Sequence, residues 1–160
     1  MPTRGQATTA DDLNENDVLQ LLVSKLKKQG WVILQALSVR QRGIDLIAKR
    51  ASELLYAEAK GAVRVTNAAP LNVYGAMCSA LMQTSAIRHL DDSATVVMAL
   101  PDTEEYRYHV ASLRQVLEAT RIQAWLLDSE GNIRDGRRIT EQEFRWPMKT
   151  LPLLGRSAPS

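Results

Sequence analysis

Apolar residues recur along this chain with two different periods, and the change from one to the other marks out the elements. Over 11–29, Val18, Leu19, Leu22 and Leu26 return at three- and four-residue spacing, which predicts one buried stripe of a helix. Asp12 suits the N-cap with Glu15 three residues on as its capping-box partner, and Gly30 supplies a stop. Three short runs follow. Residues 31–37 are apolar and β-branched, 43–49 come after the basic stretch Arg40-Gln41-Arg42, and 53–59 after the turn-like Arg50-Ala51-Ser52. Strands this close together are expected to pair antiparallel, because a parallel pair needs a longer crossover. Ala and Glu are weak strand formers, so the third strand rests on its context.

Residues 61–70 read as a loop broken by Asn67 and Pro70. The span 72–90 then predicts a long helix with Val73, Met77, Ala80, Leu81, Thr84 and Ile87 on one side. The run 95–100 before Pro101 reads as a buried strand. Acidic residues from Asp102 to Glu105 open a further helix reaching Ala119, where negative charge suits the macrodipole. A last strand is expected over 122–127, followed by a turn over 128–132. The order is helix, three strands, helix, strand, helix, strand. It predicts an α/β fold, a central mixed sheet flanked by helices. The expected organisation is a loose arm over 1–10, one domain over 11–146 and a tail over 147–160.

Composition narrows the function classes. Hydrophobic residues make up 45% and charged residues 24%, which is globular composition, and no apolar run is long enough to span a bilayer. The opening residues lack the apolar stretch of a secretory signal, so a soluble cytoplasmic protein is expected. A single cysteine, Cys78, excludes an internal disulfide and a multi-cysteine zinc site; its place in a helical stripe puts it in the core. His89 and His109 have no companions at ligand spacing. The net charge of +2 permits nucleic acid as a partner without arguing for it.

The chemistry concentrates in Gly43-Ile44-Asp45 and Glu58-Ala59-Lys60. Alternation along a strand puts Glu58 and Lys60 on one side, and Asp45 on the preceding strand can lie beside Glu58 across the ladder. Two carboxylates and an ammonium then meet at one rim of the sheet. Carboxylate oxygens are hard ligands suited to Mg²⁺, and a cation held there can polarise a phosphodiester and acidify a bound water. The ammonium can position that water and stabilise charge on phosphorus. No Gly-rich phosphate loop and no Ser/His/Asp arrangement supports a small-molecule enzyme instead.

This arrangement resembles the PD-(D/E)XK nuclease superfamily, also called restriction-endonuclease-like. Its pattern is an acidic residue on the second core strand and Asp/Glu-x-Lys on the third, which here are Asp45 and Glu58-Ala59-Lys60. Gly30-Trp31 after the first helix is also similar, and residues 43–48 are especially like the Holliday-junction-resolvase and Mrr-type branches. The resemblance covers roughly 15–127, with Ile44 in place of the proline of the family name. It implies an αβββαβ core and a Mg²⁺-dependent endodeoxyribonuclease, with Mn²⁺ as a substitute. Asp45, Glu58 and Lys60 would be catalytic, and Glu15, Asp45 and Glu58 would hold the metal. Many members carry a further Glu on the first helix; Glu15 is the candidate here, Asp17 its substitute. Gln83 on the second long helix is either a site residue or an ordinary half-exposed one.

Arg40, Arg42 and Arg64 are candidates for DNA phosphate contacts, with Lys49 and Arg50 near in sequence. Arg134, Arg137, Arg138 and Arg145 with Trp146 either clamp a backbone or decorate a terminal hairpin. Cutting two strands takes two sites, so a homodimer is the expected assembly, with Met77, Leu81 and Met82 offering an apolar surface or packing on the sheet. The alternative function is a nuclease-fold protein that binds nucleic acid or a partner protein without cutting.

Overall fold

The computed structural model describes residues 9–38, 41–63 and 69–144. The expected arm, for its first eight residues, and the tail lie outside them, as do Arg40, Arg64, Arg145 and Trp146. Helix α1 (Glu15–Lys28) is followed by strands β1 (Val32–Ala36), β2 (Leu46–Arg50) and β3 (Glu53–Ala59). Helix α2 (Ala69–Leu90) crosses over to β4 (Thr95–Pro101). Helices α3 (Glu104–Ser112) and α4 (Arg114–Thr120) lead to β5 (Ile122–Leu127) and β6 (Ile133–Asp135). The strands form one sheet in sequence order. β1, β2 and β3 pair antiparallel, β3, β4 and β5 parallel, and β6 returns antiparallel on β5. No helix of the described residues is long and apolar enough to cross a membrane.

The sheet separates two apolar layers. Val18, Leu19, Leu22 and Leu26 of α1 pack on one face, against Leu46, Ala48, Leu55, Ala57 and Ala59. On the other face Val73, Met77, Ala80 and Ile87 of α2, with Tyr106 and Val110 of α3, cover Val96, Met98, Leu100 and Leu126. Each fully buried leucine among them contributes roughly 1.5–3 kcal/mol. The central strand β4 is buried on both faces, which is why its sequence is a continuous apolar run rather than an alternating one.

Several expectations are corrected. Asp12 does not cap α1: it lies in a 3-10 turn over Ala10–Asp12, and Asn14, in extended conformation, caps Asp17 N–H instead. Asp17 returns the bond to Asn14 N–H, so it, not Glu15, closes the capping box. Trp31 stays outside β1 and packs under the Arg50 guanidinium, 4.5 Å from the ring centre. Pro70 opens α2 rather than breaking the loop before it, since the first turn of a helix needs no proline N–H. The single helix expected to reach Ala119 is two. It breaks at Leu113, just after Ser112 turns its hydroxyl back onto the Tyr108 carbonyl at 2.8 Å, a bond that bends helices. Cys78 is half-buried rather than core. Met77 is buried and Leu81 packs against the sheet layer, whereas Met82 is 74% exposed.

Candidate active site

Strand β3 runs out at the rim of the sheet, and the site is built where it ends. The Lys60 N–H still donates to the Ala99 carbonyl at 3.0 Å, so the pleat continues one residue past the strand. Lys60 therefore falls on the same face as Glu58. Its Nζ stands 3.3 Å from Glu58 Oε1 and 3.4 Å from Gln83 Oε1 of α2. Glu58 is only 4% exposed, the one acidic or basic residue buried among the described residues.

Asp45 arrives by a different route from the one expected. It precedes β2 rather than lying within it, after Gly43, whose φ of 133° suits only glycine, turns the chain. Continuing the β2–β3 register past Leu46↔Ala57 would give the Ala59 N–H to the Ile44 carbonyl. That carbonyl instead accepts from Gln35 Nε2 at 2.8 Å, and Asp45 Oδ2 takes the Ala59 N–H at 2.9 Å. The carboxylate ends the ladder and is fixed beside Glu58 by the same bond. Burial and, secondly, the Asp45 charge push the Glu58 carboxyl up to about 7, against the partial relief given by Lys60.

Glu15 stands at the first turn of α1 and lines a small cleft with Asn16, Leu19, Leu37, Asp45 and Ala59. Burial raises its pKa; Lys60 opposes the rise and Asp45 adds to it. Asp17 is committed to the cap and is not the helix-one member of this group. Among the described residues no three Asp, Glu, His or Cys side chains converge tightly enough to cage an ion on their own. What the structure brings together is Asp45, Glu58 and Lys60 with Gln83; Glu15 is a flanking charge. The donor set still fits a divalent ion. Two crowded carboxylates share one ammonium, and Mg²⁺ is ordinarily held by one or two carboxylates with water and phosphate completing the shell.

No protein-family model matches the chain, and no curated protein does. Two crystal structures share its architecture. One is an fdxN element excision controlling factor protein from Anabaena variabilis, at TM-score 0.52 and 19% identity over 74% of this chain and 96% of that one. The other is an XisH family protein from Nostoc punctiforme, at TM-score 0.50 and 18% identity over the same shares. The fold is restriction-endonuclease-like. At these identities the likeness concerns the fold alone.

Within that restriction-endonuclease-like frame the remaining candidates separate. Gln83, exposed on α2, is the residue that a helical pattern alone could not choose between bystander and site member, and its Lys60 contact places it at the site. Arg42 is exposed and makes no ion pair among the described residues. Arg50 binds Glu53 and covers Trp31. Arg134 is held by Asp102 at 3.0 Å and by Glu143, half-buried on the terminal hairpin, whereas Arg137, paired with Asp135 at 2.6 Å, and Arg138 stay exposed. His89 is exposed, and His109 sits edge-on to Tyr108 and tilted against Tyr74.

Proposed function

We propose that this chain is a divalent-metal-dependent nuclease that hydrolyses DNA phosphodiester bonds. The observation that carries the reading is the buried Glu58 carboxylate, crowded by Asp45 and bridged at 3.3 Å by the Lys60 ammonium at the rim of the sheet. A purely structural ion pair has no use for a second acid there. Asp45 and Glu58 would hold Mg²⁺, or Mn²⁺ in its place, and when bound the ion would supply Lewis-acid polarisation of a phosphate oxygen and a water of lowered pKa. Lys60, steadied by Glu58 and Gln83, has one N–H left to direct at the attacking water or the developing phosphorane charge. Glu15 would act from α1 through a water of the ion's shell. Arg42, with Arg40 and Arg64, would contact phosphate. That a fold neighbour is called an excision controlling factor agrees with DNA as the partner.

A second reading, a nuclease-fold module that binds nucleic acid or a partner protein without cutting, is favoured by the Lys60 ammonium being already engaged by Glu58 and Gln83. One assay separates the two. Purified protein is incubated with supercoiled, linear and branched DNA in Mg²⁺, Mn²⁺ or EDTA. Nicking that EDTA abolishes is the expected result; binding without cleavage under every condition would select the module. A homodimer is the assembly that cuts both strands, and the elution volume of the same sample reads it.

A further inference from the structure

Glu15 reaches Asp45 from a different element, and something must set how close it comes. The residue after Lys60 is the place to look. A Cβ added at Gly61 would stand 2.5 Å from the Glu15 backbone nitrogen and 2.9 Å from the Asn14 carbonyl carbon. The first turn of α1 thus rests directly on the Gly61 backbone, with no side chain between them. Two bonds hold the contact shut. The Ala62 N–H donates to the Leu13 carbonyl at 2.7 Å, just before α1 begins, and the fully buried Tyr106 of α3 donates its hydroxyl to the Gly61 carbonyl at 2.8 Å. Strand β3, α1 and α3 are clamped at a single glycine adjacent to the site lysine.

We propose that Gly61 and Tyr106 are positioning residues that hold the Glu15 carboxylate at its working distance from Asp45 and Lys60. The inference rests on the metal-site reading above and names how its third acid is placed. The Gly61 φ lies outside the range that demands glycine, so the requirement is one of close approach rather than backbone strain. Any side chain there must push the first turn of α1 away by about 1 Å, a misplacement that can cost on the order of 10²-fold where geometry matters. Tyr106→Phe keeps the packed ring and removes only the bond.

Mn²⁺ affinity of the DNA-free protein, measured by calorimetry with thermal melting alongside, tests the clamp. Glu15→Gln and Gly61→Ala are each expected to weaken Mn²⁺ binding about 10- to 100-fold, the range found when outer-shell partners of a metal are lost. Tyr106→Phe should weaken it by a smaller factor, and it carries the test if Gly61→Ala does not fold. The double variant Glu15→Gln/Gly61→Ala should bind no more weakly than either single one, because both lose the same carboxylate. Wild-type affinity in Gly61→Ala and Tyr106→Phe would overturn the inference, as would losses that multiply with Glu15→Gln. Those results leave the metal reading standing. A wild type that binds no Mn²⁺ sinks both.

Discussion

Glu58 is a carboxylate placed where it is reluctant to be charged. Its usual value is 4.5 and the folded chain raises it to about 7. Between those values the folded protein keeps a proton that the unfolded chain has released, so the contribution of Glu58 to metal-free stability is greatest below pH 4.5 and falls as pH rises towards 7. The loss is on the order of 3 kcal/mol, from the size of the shift. Urea unfolding in EDTA at pH 5 and pH 7.5 should show this slope in the wild type and lose its Glu58 share in Glu58→Gln. An identical slope in both would contradict the account. Adding Mg²⁺ should restore more stability at pH 7.5 than at pH 5, since the ligand must be deprotonated to bind. Arg88 makes a different single-residue prediction. Its guanidinium caps the end of α2 through the Asp91, Asp92 and Ala94 carbonyls, and reaches the Arg121 carbonyl at 2.8 Å. Arg88→Ala leaves these acceptors short and should cost roughly 2–3 kcal/mol, while the folded fraction retains wild-type cleavage.

At the scale of elements, the start of α1 separates two acids that sequence spacing left interchangeable. Asn14→Ala removes a reciprocal cap and should cost about 1 kcal/mol in thermal or urea melts. Asp17→Asn should cost a similar amount and leave Mn²⁺ affinity unchanged, whereas Glu15→Gln should weaken affinity. The reverse pattern would reassign the helix-one acid. The same turn shows what could be read in advance. The β3 strand matches its expected range to the residue, because the turn-like Arg50-Ala51-Ser52 stands directly before it. The cap was not. Asp12 and Asn14 are equally good cap chemistry, and only the 3-10 turn before Leu13 decides between them. Asp45 was found in the right place for a partly wrong reason: alternation put it in the ladder, whereas its side chain ends the ladder. β6, three residues long, is too short to show a period.

For the whole molecule, strand order and layering followed from element order, because short connections force the antiparallel β1–β3 meander and a long helix forces the parallel crossover to β4. Contacts far apart in sequence were harder to read: Gln83 could be named only as one of two alternatives, and Gly61 not at all. Nothing local to Gln83 announces Lys60, and nothing local to Gly61 announces Glu15. The assembled rim, with Asp45, Glu58 and Lys60 drawn from two strand ends under α2, is the claim on which the functional account stands. Nicking of supercoiled DNA in Mg²⁺ by wild type, Asp45→Asn and Lys60→Met, with melting curves to confirm folding, tests it most directly. The account predicts metal-dependent nicking by wild type and rates at least about 10²-fold lower in both variants, as for loss of a group that stabilises transition-state charge. Undiminished nicking by folded Asp45→Asn and Lys60→Met would contradict it.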